Sequence, residues 1–173
     1  MTFFIALVTI LQVVGVSLGV GSSTLAITNF FVAIADGKID DTERRMMGVV
    51  YVVLRVAMVV ILVTTVILIS YEFGGAGVLN MPGFAWAEII VLLVLYTNAL
   101  LMTHHLMPST FGPALQGGSW YTLGVLAALQ ILDYTGFTLG LFIMAYISWL
   151  ILAVGIVNGI MAMMKAKKEN KQV

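Results

Sequence analysis

The chain has 173 residues, 61% hydrophobic and 9% charged, with a mean hydropathy of +1.10. Soluble domains average about 25% charged residues, so this composition excludes an ordinary soluble fold. Formal net charge is zero, which implies no bulk attraction to nucleic acid, and the lack of cysteine excludes disulfides, iron–sulfur clusters and thiolate metal sites.

The length suits a single integral membrane domain over residues 1–173, closed by a basic cytoplasmic tail at 165–173. The first segment runs from Phe3 to about Ala33. It lacks the basic start of a signal peptide and is too long for a signal core, so it reads as a retained span. Gly15 and Gly19, and likewise Ser17 and Gly21, stand four residues apart. Small pairs at that spacing let a neighbouring helix approach closely in lipid. Gln12, Ser22, Ser23 and Thr24 add polar side chains to this span.

A charged turn follows. Asp36-Gly37 is a turn signal, and Asp40 with Glu43 fits a capping box that opens the next helix. The same letters match the second half of an EF-hand loop. Its first and third ligand positions would be Val32 and Ile34, which offer calcium no oxygen, so the capped turn is the better reading.

The second segment, 46–70, is an apolar run long enough to cross a bilayer, which takes about 20 residues. It contains one full charge, Arg55. From Met46 that residue lies roughly 13 Å deep at helical rise. A guanidinium there costs about 2.5–3.5 kcal/mol on insertion scales, so it is expected to face protein or trapped water. Residues 71–83, rich in glycine, read as a loop. The third segment runs from Phe84 to Met107 and is closed by Pro108.

Trp120 to Lys165 holds two further apolar stretches, broken at Asp133-Tyr134-Thr135-Gly136. The fourth reaches spanning length if it begins at Pro113. The fold class expected is therefore all-α, a polytopic transmembrane helical bundle of five spans, with four spans plus a half-helix as the alternative. Lys38, Arg44 and Arg45 precede the second span, and Lys165, Lys167, Lys168 and Lys171 follow the last. Five crossings with the N-terminus outside and the C-terminus cytoplasmic put both basic groups inside a cell (inner or plasma) membrane.

Two constellations are candidates for binding. In the first, Arg55 lies about 22 Å below Ser70, while Thr97 and Asn98 lie about 20 Å below Phe84. Glu88 is only about 6 Å in, a poor partner. Arg55, Asn98, Thr97, Ser22 and Gln12 are thus the expected ligand-binding residues. A cation with no carboxylate near it suits an anionic ligand. In the second, Met102-Thr103-His104-His105 offers imidazole and thioether, donors suited to copper or haem iron. Adjacent helical residues point about 100° apart, so His104 and His105 cannot easily share one ion. No hydrolase triad, phosphate loop, dinucleotide motif or catalytic carboxylate pair can be assembled.

Leu11-Gln12-Val13-Val14-Gly15 with Gly19-Val20-Gly21, the short charged turn, and a third span running from Tyr96 to His104-His105 resemble small bacterial membrane proteins of the CopD (copper resistance) and HemJ (haem biosynthesis) types. Those families carry a Leu-His pair early in the first span, where this chain has Gln12. The resemblance covers roughly the first 110 residues and implies a bundle that holds haem, copper or an apolar ligand. The leading expectation is a bundle that binds or transports an anionic, haem-like or metal ligand. A non-catalytic subunit or scaffold that oligomerises through small-residue faces, and a haem-dependent redox enzyme, are the alternatives.

Overall fold

The computed structural model describes residues 3–36, 40–74, 77, 80–108 and 111–169. Among these the chain forms five helices: α1 (Phe3–Asp36), α2 (Asp41–Phe73), α3 (Gly83–Thr103), α4 (Gly112–Ile131) and α5 (Leu139–Glu169). The expected Gly37 turn and Lys38 lie outside the described residues, as do residues 170–173 of the tail. Residues 165–169 continue the backbone of α5.

Local chemistry sets the helix ends. Asp40 caps α2: its Oδ1 accepts from the Glu43 N–H at 2.6 Å, and Glu43 Oε2 accepts from the Asp40 N–H at 3.1 Å. Pro113 stands in the first turn of α4, where a missing N–H costs nothing. That places the start of α4 where the fourth segment becomes long enough.

The helices alternate in direction, as their contacts reveal. Gln12 meets Thr65 while a Cβ on Gly15 would touch Val60. Tyr96 meets Met58 and Thr65 meets Glu88. Asn98 meets Gly112, and Ser119 meets Tyr146. α4 therefore runs from the level of Asn98 back to the level of Glu88, where Leu126 and Ala127 flank it.

Four helices, all but α4, are long and apolar enough to cross a membrane. α4 has 20 residues, enough for about 30 Å, but carries Gln116, Gly117, Gly118 and Ser119 in its first half. All four are buried, because α1, α3 and α5 pack around this helix. Trp120 sits fully buried at its centre among Ile61, Val91, Leu95 and Leu123. A Cβ on Gly19 would lie 2.2 Å from the Trp120 ring, so only glycine admits the indole there. The outer surface is the reverse: α2 turns Val52, Val56, Val59, Val63 and Val66 outward, each at least half exposed. Such a stripe is a liability in water and the right surface for lipid. The protein is an all-helical membrane bundle.

Candidate functional site

Helices α2 and α3 are held together mainly by side chains. The Tyr96 hydroxyl donates to the Met58 carbonyl at 2.5 Å, and Thr65 reaches Glu88 nearer the other end. Below the Tyr96 tie, toward the start of α2, lies a cleft of about 620 Å³. Ser23, Ile27 and Phe30 of α1 line it, with Tyr51, Leu54, Arg55 and Met58 of α2. Tyr96 and Met102 of α3 and Gln116 and Gly117 of α4 complete the wall. The α1–α4 side is tight: a Cβ on Gly117 would come within 2.7 Å of Ile27 Cδ1.

Each lining set repeats at helical spacing. Tyr51, Arg55 and Met58 share one face of α2, and Ser23, Ile27 and Phe30 share one face of α1. Arg55 is the only charged side chain among the lining residues, and the described residues give it no ion pair; it is exposed, among the outward Val52, Val56 and Val59, rather than covered by protein as the sequence suggested. Around it stand neutral polar groups (Ser23, Tyr51, Tyr96 and Gln116) and the His105 imidazole. Apolar walls from Ile27, Phe30, Leu54 and Met58 complete the cleft. An unpaired guanidinium above an apolar floor can hold an anionic head while the floor takes a hydrocarbon body.

Asn98 supports this wall rather than lining it. Its Nδ2 donates to the Gly112 carbonyl at 2.9 Å and to Gln116 Oε1 at 3.1 Å. This pair fixes the first turn of α4 against α3 and orients Gln116 into the cleft. Asn98 is 2% exposed, and its Oδ1 has no hydrogen-bond partner among the described residues.

The two histidines do not continue α3, contrary to the reading of Phe84–Met107 as one helix. The helix ends at Thr103. His105 has φ of 56°; its N–H bonds the Met102 carbonyl at 3.1 Å, and the Leu106 N–H reaches Leu101 at 2.9 Å. This is the left-handed C-terminal motif that usually holds glycine. It turns His105 to the border of the cleft and leaves His104 outside it; both imidazoles are exposed. Met102 borders the same cleft, its sulfur 3.6 Å from Asn98 Nδ2. Of the expected metal donors the structure brings together His105 and Met102. Among the described residues no cluster of three or more His, Cys, Asp or Glu could hold a metal ion.

Of the expected ligand-binding set, Arg55 alone lines the cleft. Thr97 is exposed on α3, one residue out of phase with Tyr96. Ser22 is buried, but its neighbour Ser23 is the lining residue. Gln12 lies about 16 Å along α1 from Ser23, at the opposite end of the bundle. There its Nε2 donates to Glu88 Oε1 at 2.5 Å and to Thr65 Oγ1 at 3.2 Å. Depth along single helices placed these residues; rotation about each axis separates them. Tyr51, Tyr96 and Gln116 were missed. Stepping three and four residues from Arg55 would have found Tyr51, whereas nothing local singles out Gln116.

Compared with known proteins, the chain matches no family model, no curated protein and no solved structure.

Proposed function

We propose that this protein binds an amphipathic monoanion, such as a single-chain lipid carboxylate or phosphate, in the cleft around Arg55. One observation carries the reading: Arg55, an exposed guanidinium part-way along an apolar helix, borders a cleft of about 620 Å³ whose described lining holds no carboxylate. Intramembrane charges are costly and face partners or ligands. The apolar floor and the sparse packing between α2 and α3 support a ligand that arrives from the lipid. No reacting group is assigned, and the protein is read as a binding or transport protein rather than an enzyme.

The orientation belongs to the same proposal. Arg44 and Arg45 open α2, and the lysines of α5 stand at its far end; the alternating helices bring both to one face. The positive-inside rule makes that face, and the mouth of the cleft, cytoplasmic in a plasma-type membrane.

The test uses purified protein in nanodiscs of neutral lipid, with oleate as ligand and a neutral oleoyl ester as control. Oleate is expected to bind and raise the unfolding temperature, the ester to do neither. Arg55→Gln should weaken oleate binding about tenfold or more, the scale of one charge-assisted contact, and Arg55→Lys should weaken it less. Folded Arg55→Gln protein that binds oleate like wild type would overturn the reading.

A second reading rests on His105 and Met102 bordering the cleft beside Arg55. They offer haem an imidazole, a thioether and a cation for its propionates. A Soret band on addition of haem that is lost in His105→Ala and Met102→Leu would favour it. The absence of such a band would remove haem.

A further inference from the structure

At the end of the bundle opposite the cleft, α1, α2 and α3 meet around one carboxylate. Glu88 stands five residues into α3, about 7 Å along the helix. Its Oε1 accepts from Thr65 Oγ1 at 2.8 Å and from Gln12 Nε2 at 2.5 Å. Gln12 and Thr65 are 6% and 3% exposed, and they bond each other at 3.2 Å. The three side chains therefore form a closed triangle, one corner from each helix. Beside it lies a void of about 10 Å³, bordered by Phe84, Leu126, Ala127 and Gln130. That is room for about one water.

The geometry points to Glu88 as a proton-exchange site. The reason is the choice of partners. A Lys or Arg partner would hold the carboxylate ionised; apolar neighbours would hold it neutral. Gln and Thr do neither, because an amide and a hydroxyl each carry both a donor and an acceptor. With Glu88 ionised, both donate to Oε1, as seen here. When a proton joins the carboxylate, the new O–H needs an acceptor. Rotation of the Gln12 amide presents its carbonyl, and the Thr65 hydroxyl can turn likewise. The triangle is thus satisfied in both protonation states with no helix displaced. One proton enters, one carboxylate becomes one carboxylic acid, and no other bond changes.

A metal cation does not fit this arrangement. Two donors aim at the carboxylate oxygen, where a cation would need acceptors, and the void is small. The surrounding charges are few. The carboxylates at this end are Glu72, about two turns beyond Thr65 on α2, and Asp133, just past the end of α4. Residues Phe3–Val32 of α1 hold no titratable group. Tyr121 of α4 is bonded to Thr24, Tyr146 of α5 to Ser119, and Tyr96 of α3 to Met58. Gln130 borders the void and is exposed at the end of α4, which gives a proton its route to that surface.

The test is infrared difference spectroscopy of the full chain in nanodiscs, from about pH 5 to about pH 9, a range bracketing ordinary carboxylate and imidazole values. A protonated-carboxyl carbonyl band is expected to appear on acidification in one single-proton step. It should be absent from Glu88→Gln, which keeps the shape and donors of the site. In Gln12→Leu the band should appear at a different pH. Ser148→Ala, on the outward face of α5, should leave it unchanged. Glu88→Asp is the second variant: if Glu88→Gln fails to fold, a titration displaced in Glu88→Asp supports the same assignment. A wild-type spectrum with no pH-dependent band that these variants alter would overturn it and leave the triangle as packing. None of these outcomes depends on Arg55 or on oleate, so the two proposals stand or fall separately.

Discussion

His105 and Asp133 both sit at φ of 56°, each one residue past a helix cap, with the same pair of backbone bonds behind it. For a residue with a Cβ that conformation costs about 1–2 kcal/mol, and glycine removes most of it. The comparison separates stability from binding. His105→Gly is expected to raise unfolding stability by about 1 kcal/mol and to change ligand binding in the cleft. Asp133→Gly should give a similar gain with binding untouched, because Asp133 is exposed at the other end of the bundle. Thermal unfolding with and without ligand measures both. Equal effects of the two variants on binding would count against a role for the imidazole. Strain held where a side chain meets a cavity is a common mark of a working residue.

Helix α1 shows how one element divides its small residues. Gly15 takes α2, since a Cβ there would lie 2.8 Å from Val60 Cγ1. Gly19 takes α4 and the Trp120 ring, whereas Gly21 has open space around it. The sequence offered Gly15-x-x-x-Gly19 and Ser17-x-x-x-Gly21 as equal motifs; the fold uses the first internally and leaves Ser17 and Gly21 exposed. Gly19→Ala is expected to cost about 1–3 kcal/mol, because a buried ring of this size cannot move aside. Gly21→Ala should fall within about 0.5 kcal/mol of wild type. Unfolding midpoints in detergent decide the matter. An oligomer built on small residues would have to use the second face, and Gly21→Leu would be the variant to examine.

At the scale of the whole molecule, α1, α3 and α5 form a wall around α4, the one of the five helices not apolar enough to count as a span by itself. A helix with Gln116, Gly117, Gly118 and Ser119 in succession makes a poor lipid-facing span, and here its neighbours bury all four residues. The Trp149 indole donates to the Gly118 carbonyl at 3.0 Å, so even the glycine backbone is enclosed. The chain has no cysteine, so single cysteines can report sidedness cleanly. With the N-terminus outside, Thr42→Cys and Ala166→Cys should react with an impermeant maleimide only after the cytoplasmic face is opened. Thr138→Cys should react from outside. Thr42 and Ala166 on opposite sides would mean that α4 does not cross.

Much was legible before any coordinates. The long apolar runs, the Asp40–Glu43 cap, Pro113 as the start of α4 and the Asp133 break all depend on near neighbours in the chain, and their chemistry is local. Arg55 was legible too, because the cost of a charge in hydrocarbon does not depend on the fold. Its company was not. Whether Thr97 or Tyr96, Ser22 or Ser23, faces the cleft turns on the rotation of each helix about its axis, and near-uniform apolar spans carry little periodic signal to set it. The pairing of Gln12 with Glu88 joins residues 76 apart in the chain, and the turn of His105 out of its helix depends on backbone at a cap. Composition and local chemistry thus determined a helical membrane bundle with one arginine part-way along an apolar helix. Packing around glycine and Trp120 decided which side chains that charge, and the carboxylate at the other end, would meet.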